Sequence, residues 1–389
     1  MNFAFSEEQV ELRKVAADFL TNKSAEADVR ALMETDEGYD PAVWSQMAEQ
    51  LGLQGLAIPE EYGGSGYSYV ELCVIFEEMG RRLLCAPFFS TVALAANALL
   101  HSGDDDAKAR YLPGIASGET IATVAFTEEN GRWDESGIEM EAAASDQGHT
   151  LTGTKSYVID GHIASLILVA ARTPEGVSLF AVDGDASGLG RTPLSTMDQT
   201  RKQAKLDFDN TPATLIGAAG SGWDTLRTML QLAVVALASE QMGGAQQALD
   251  MTVAYLKERV QFGRVIASYQ ALKHKAADMM VRAEASRSAV YYAACIADEA
   301  LCGGPLGAEL AEAASIAKAY CSDAYFFNAG CGIQLHGGVG FTTEYDIQLY
   351  FKRAKSTETF LGGAAFHRER LARLLLDGPG QGETRRASA

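Results

Sequence analysis

Through the first 118 residues, apolar positions recur at helical spacing. Val10, Leu12, Val15, Phe19 and Leu20 make one such stripe, the rhythm of a helix with one buried face. Ser6, followed by Gln9 three residues on, predicts a capping box at its start. Glu7 and Glu8 then sit near the positive end of the helix dipole. Further helices are predicted over Val43–Leu51, Tyr69–Arg82 and Val92–His101, with Pro59–Gly66 as a turn. Helices rather than a strand–helix–strand unit surround the glycines of that turn, so they are not a dinucleotide fingerprint.

From about Thr120 to Ile216 the pattern shortens. Ile121–Phe126, Thr150–Ile159, Ser165–Ala171, Val177–Val182 and Gln203–Phe208 are rich in Val, Ile, Leu and Thr and are bounded by Gly, Asp, Asn or Pro. Short strands of this kind predict a small antiparallel barrel or sandwich. Helical spacing then returns. Residues 223–258 predict one helix of roughly 50 Å. Tyr269–Ala300 and Leu306–Gln334 follow, with a last helix near the C-terminus, as in an up-down four-helix bundle. The expected organisation is an N-terminal helical domain (1–118), a central β domain (119–218), a C-terminal helical bundle (219–377) and a disordered tail (378–389).

Charge removes several function classes. The net charge is −19 and the pI about 4.8, against a broad nucleic-acid surface or docking to anionic lipid. A local basic pocket for an anionic cofactor is still open to Arg259, Arg264 and Lys273. The six cysteines show no C-x-x-C pair and no Cys/His zinc spacing, so no metal site is expected. The N-terminus lacks a basic and apolar leader, and the longest apolar runs are too short to span a bilayer. A cytoplasmic protein without membrane insertion is the expectation.

Four segments carry candidate chemistry. They are Ala125-Phe126-Thr127-Glu128, Gly153-Thr154-Lys155-Ser156-Tyr157-Val158-Ile159-Asp160-Gly161, Arg259–Ile266 with Gln270, and Gln334-Leu335-His336-Gly337-Gly338. Arg259 offers a fixed fork of donors for phosphate. Gly263 reads as a residue that ends a helix and permits a tight turn. Together, and in an all-α, small-β, all-α order, the segments resemble the acyl-CoA dehydrogenases over nearly the whole chain. That resemblance implies FAD as cofactor. It places Phe126 and Thr127 at the isoalloxazine edge, with Tyr157 over one flavin face and Ile159 at the adjoining position. Arg259, Gln261, Phe262 and Gln270 would lie along the pyrophosphate and adenosine. Gln334, Gly337 and Gly338 would reach the nucleotide of a neighbouring subunit, with His336 in a packing role. It also implies a dimer or tetramer, homomeric or heteromeric, an acyl-CoA substrate, and an electron acceptor such as an electron-transfer flavoprotein.

Two departures stand out. Where the family commonly has a small serine near the CoA thioester, this chain has Trp133, which becomes a substrate-side residue. In the family a glutamate removes the substrate α-proton while the flavin takes a hydride from the β-carbon. Its two usual positions match Gly362 and Ala233, and neither is acidic. Glu240 lies seven residues after Ala233, about 10 Å farther along the helix. It reads either as lining the deep end of an acyl pocket or as a structural polar contact, and as a weak candidate for the base. Glu358 is weaker still. Three functions remain: a dehydrogenase with a displaced base, the base-deficient subunit of a heteromeric dehydrogenase, or an FAD-binding member with other thioester chemistry or a purely structural role.

Overall fold

A computed structural model describes residues 6–145 and 148–376. The tail expected to be disordered, from Gly378, lies outside the described residues. The helices of the first part are α1 (Glu7–Lys23), α2 (Glu26–Met33), α3 (Pro41–Glu49) and α4 (Tyr69–Arg82). A π-helical stretch, Phe89–Ala96, runs into α5 (Asn97–Leu100), and α6 spans Asp105–Ala116. The capping box at α1 forms: Gln9 N donates to Ser6 Oγ at 3.1 Å, and Ser6 N to Gln9 Oε1 at 3.0 Å.

Seven strands follow: β1 (Ala122–Ala125), β2 (Glu141–Ser145), β3 (Gly148–Ile159), β4 (Leu166–Thr173), β5 (Gly176–Asp183), β6 (Leu189–Pro193) and β7 (Gln203–Ile216). Strands β4, β2, β3, β7 and β5 pair in sequence, and β5 returns to β4, closing a small barrel. Closure removes exposed edges. Its interior is filled by Leu151, Val158, Ile167, Val169, Phe180, Leu206 and Phe208. The ladder is not wholly antiparallel: β1 runs parallel to β4, and β2 meets β4 in parallel at Glu141 and Arg172.

The last part holds α7 (Gly222–Glu258), a short hairpin of β8 (Val260–Gln261) and β9 (Arg264–Val265), α8 (Gln270–Leu301), α9 (Leu310–His336), α10 (Ile347–Thr359) and α11 (Ala364–Leu376). The chain packs as two compact units, each drawn from separated stretches. One contains the barrel, with Ala27–Ser68 and Cys85–Ala233. Among the described residues the other contains 6–26, Tyr69–Leu84 and 234–376, so that α1 and α4 join the C-terminal helices.

In this helical unit α9 packs against α8, α10 and α11, and α4 against α1 and α8. A glycine brings α7 against α4: a Cβ on Gly243 would lie 1.9 Å from the Glu77 carbonyl oxygen, so no side chain fits at that crossing. The Glu77 side chain, 1% exposed, is held by Arg13 at 2.8 Å, Arg287 at 2.6 Å and the Tyr291 hydroxyl at 2.6 Å. That one carboxylate therefore ties α1, α4 and α8 together. Among the described residues no helix is long and apolar enough to cross a membrane.

Candidate functional site

The barrel unit brings the first two motif segments together. Strand β1 ends at Ala125 and delivers Phe126 and Thr127, both buried. Strand β3 pairs with β7 at Lys155–Leu206 and again at Val158–Ala204, so one extra residue is inserted between them. This is a β-bulge, and bulges re-aim side chains. Here the Ser156 N–H leaves the ladder and donates to the Thr127 carbonyl at 2.9 Å. Tyr157 is turned outward, 57% exposed, with φ at +57°. A bulky residue in the left-handed region is strained, and such strain clusters at functional sites. Ile159 is buried, and its carbonyl accepts from the Thr123 hydroxyl at 2.6 Å. The half-buried Trp133 places its ring 5.8 Å from that of Phe126, tilted by 55°.

A buried ion pair underlies this surface. Lys155 Nζ lies 2.6 Å from Glu128 Oε1, and its side chain has no exposure. The Glu128 carboxylate also accepts the backbone N–H groups of Glu139 and Met140, each at 3.1 Å. Burial pushes the Lys155 ammonium below its ordinary range, and the hydrogen bond and charge of Glu128 work against that shift.

The helical unit carries the other two segments. Helix α7 stops at Glu258, before Gly263; the glycine instead shares the turn of the β8–β9 hairpin. Phe262 and Gly263 have φ of +52° and +75°, the left-handed pair that a two-residue hairpin turn demands. The expectation that Gly263 ends a helix is corrected accordingly. Phe262 is 91% exposed, and Arg259, Gln261 and Gln270 are exposed beside it in sequence. Arg264 lies over the Tyr269 ring at 4.0 Å.

Helix α9 ends at His336, and Gly337 follows with φ of +65°. A Cβ on Gly337 or Gly338 would meet nothing within 4 Å, so this backbone edge is open. Gln334 is exposed. His336 is packed: its ring stacks on Tyr255 at 4.3 Å, and Nδ1 lies 2.7 Å from the Gly332 carbonyl. The Tyr255 hydroxyl donates to the His336 carbonyl at 3.2 Å, joining the end of α7 to the glycine edge.

The two positions expected to hold the base are without an acid. Ala233 is wholly buried in α7. Leu361 and Gly362 both lie in positive φ, at +58° and +94°. A Cβ on Gly362 would fall 2.5 Å from the Phe366 ring and 3.1 Å from His367 Nε2. The surrounding backbone is held by two buried bases. Lys318 Nζ donates to the carbonyls of Thr357 (2.9 Å), Glu358 (3.1 Å) and Gly362 (3.0 Å) and to Ser322 Oγ (2.8 Å). Thr357 and Glu358 belong to the last turn of α10, whose carbonyls lack helical partners and favour a cation. His367 Nε2 lies 2.9 Å from the Leu361 carbonyl. Burial pushes His367 down to about 4 and Lys318 down to about 7. Glu240 is engaged: Arg353 Nη1 lies 2.8 Å from its Oε1, both side chains being buried. Of its two readings, that geometry matches the structural polar contact. Glu358 pairs with Lys355 at 2.7 Å.

Family models cover the chain in three consecutive blocks. The acyl-CoA dehydrogenase N-terminal domain matches residues 6–119, the middle domain 123–211 and the C-terminal domain 220–376. The chain belongs to the acyl-CoA dehydrogenase family. Acyl-CoA dehydrogenase IpdE2 of Mycolicibacterium smegmatis is 34% identical over 369 residues, 95% of this chain and 98% of that protein. Butyryl-CoA dehydrogenase from Megasphaera elsdenii superposes with a TM-score of 0.88 at 27% identity, covering 97% of this chain and 100% of that one. A chain of the ChsE4-ChsE5 complex from Mycobacterium tuberculosis gives 0.85 at 27%, with coverage of 97% and 100%. As an acyl-CoA dehydrogenase, this is a flavoprotein oxidoreductase acting on CH–CH donors, with FAD as cofactor.

Sequence reasoning missed the pairing of Lys155 with Glu128, the role of Lys318, and Arg353 as the partner of Glu240. Only Lys318 and Glu240 stand in largely apolar surroundings in the sequence; Lys155, Glu128 and Arg353 have polar or charged neighbours. For the first two that setting is the available signal, because charges are rarely buried unless partnered. The partners are 27 residues apart for the first pair and 113 for the last, which no local pattern reveals.

Proposed function

We propose that this chain is the base-deficient subunit of a heteromeric acyl-CoA dehydrogenase, binding FAD and the thioester while a partner subunit supplies the proton-abstracting carboxylate. The observation that carries the reading is the state of the base segment. Leu361 and Gly362 offer no acid, Phe366 and His367 crowd the space beside Gly362, and the nearby Glu240 is committed to Arg353. A lost catalytic group with a disordered surround would indicate decay. Here the segment is instead held by three hydrogen bonds from one buried lysine. The complex formed by ChsE4 and ChsE5 gives a family precedent for two-chain assembly.

The residues present fit FAD. Tyr157 is an outward aromatic at a strained bulge beside Phe126 and Thr127, a flat surface of the kind a ring system stacks on. Ile159, two residues on along β3, is buried. Arg259 and the open edge at Gly337 and Gly338 suit a diphosphate that approaches backbone closely. Gln261, Phe262, Gln270 and Gln334 would complete the nucleotide contacts, with Phe262 covered by a neighbouring subunit. When bound, FAD accepts the hydride from the substrate β-carbon. The chain's own residues then orient the ring and exclude water. Trp133, against Phe126, shapes the acyl side. Electrons would leave to an acceptor such as an electron-transfer flavoprotein.

The test is turnover of the purified chain with acyl-CoA thioesters and an artificial electron acceptor, alone and with any subunit that co-purifies. The expected result is flavin binding with negligible turnover by the isolated chain. Robust turnover by the chain alone defeats the partner-base reading. Absence of flavin in every preparation defeats the flavoprotein subunit altogether.

A further inference from the structure

The geometry points to the Lys155–Glu128 pair as a positioning device that sets the flavin platform, an inference that rests on the proposed FAD-binding role of that platform. Three residues of β3, Lys155 to Tyr157, sit within the bulge or at its edge. The bulge frees the Ser156 N–H from the ladder to β7, so something else must fix this segment against the end of β1. Two neighbouring links do so. Ser156 N donates to the Thr127 carbonyl at 2.9 Å, and one residue along on both segments Lys155 reaches Glu128 at 2.6 Å. The links therefore join Thr127-Glu128 to Lys155-Ser156, directly beside Phe126 on one segment and Tyr157 on the other.

The carboxylate is itself immobilised. Glu128 accepts from the backbone of Glu139 and Met140 as well as from the ammonium. Those two residues lie at the start of the path into β2. One buried carboxylate thus gathers three segments: the turn after β1, the approach to β2 and the bulge of β3. A buried pair of this kind is poor evidence of net stability, because desolvating both charges offsets their attraction. What it supplies is a single allowed geometry, since the ammonium has no solvent to turn to and the carboxylate no second place to go. Tyr157 needs that constraint. Its left-handed backbone is unfavourable for an aromatic residue, and only over-determined surroundings keep it there. The pair supports the platform without being one of its exposed contacts, so it acts through Thr127 and Tyr157.

Three full-length variants test this, each as purified and with any co-purifying subunit: Lys155→Arg, Glu128→Gln, and the neutral double variant Lys155→Met/Glu128→Gln. Glu128→Gln keeps an oxygen acceptor for the backbone donors, which preserves folding. FAD is titrated by quenching of its fluorescence, and the visible circular dichroism of the bound flavin reports ring orientation. The expected result is FAD affinity weakened about tenfold in Glu128→Gln and the double variant, the scale on which supporting residues act on a bound group. An altered visible dichroism should accompany it, with near-parental spectra in Lys155→Arg. Unchanged affinity and unchanged visible dichroism in a cooperatively folded double variant overturn the positioning role. If the parental protein also binds no FAD in any preparation, the platform reading falls and this inference with it.

Discussion

The barrel end that carries Tyr157 and the bundle segment that carries Gly362 are each organised by a fully buried lysine, and the two lysines are compensated differently. Lys155 faces a carboxylate, Glu128, so charge is matched by charge. Lys318 has three backbone carbonyls and a hydroxyl as its hydrogen-bond partners. Carbonyls at a helix end supply partial negative charge to an ammonium, so Lys318 works as a helix cap that also staples the following turn. The first region is shaped around an exposed, strained aromatic; the second is closed over positions that lack any acid. On the proposed partner-base reading, ligand positioning and proton abstraction are separable within this fold. The chain would then keep the scaffold of the second region without its chemistry.

The largest expected effect comes from breaking the second region. Arg353→Ala takes the guanidinium away from the buried Glu240 carboxylate and should cost about 3–5 kcal/mol in denaturant unfolding, with flavin per folded molecule unchanged. Lys318→Met takes the ammonium from the Glu358 and Gly362 carbonyls, while that of Thr357 keeps the Gln241 amide, and should cost about 3 kcal/mol. If either variant alters the visible spectrum of bound flavin as much as it alters stability, the separation between the two regions fails.

Acid titration sharpens the same contrast. His367 is held neutral in the fold, its value pushed by burial from 6.5 to about 4. Between those values the unfolded chain binds the proton and the folded chain does not. Stability should therefore fall as pH drops from about 6.5 toward 4, by up to about 3 kcal/mol from this group. His367→Gln should flatten that slope in pH-dependent melting, and an unchanged slope would remove His367 as its source. Smaller again is Gly362→Glu. The residue is at φ +94° with the Phe366 ring in the way. Its expected cost is about 1–3 kcal/mol, without any turnover gained by the isolated chain. Appreciable turnover would show that the segment is open to a base after all. The mildest change is Trp133→Ser, which should leave flavin binding intact and shift KM among acyl-CoA thioesters of different bulk by a few-fold, at most about 1 kcal/mol.

The helices were the most legible part of the sequence. Tyr69–Arg82 is predicted and observed with the same ends, because Gly80 and the arginines punctuate a strongly apolar run. The long helix of residues 223–258 begins one residue earlier, at Gly222. The elements passed over are those whose apolar pattern is short or diluted. Helix α2 has one buried residue, Val29, and β2 is mostly exposed. The parallel pairing of β1 with β4 was hidden because a strand's own residues do not say which neighbour it takes. At the candidate site, the outward aromatic Tyr157 followed from resemblance, whereas its bulge did not. A bulge depends on register with β7, some fifty residues away.

The Glu77 cluster has a practical corollary for anyone shortening this polypeptide. Arg13 stands on the first helix, yet its guanidinium is one of two cations on a carboxylate in the middle of the helical unit. An expression fragment that starts after Lys23 would leave Arg287 as the one cation of this cluster on Glu77, and would uncover the face of α4 that the first helix shields. The opening helix is thus not a dispensable leader, and soluble fragments should be sought by trimming elsewhere.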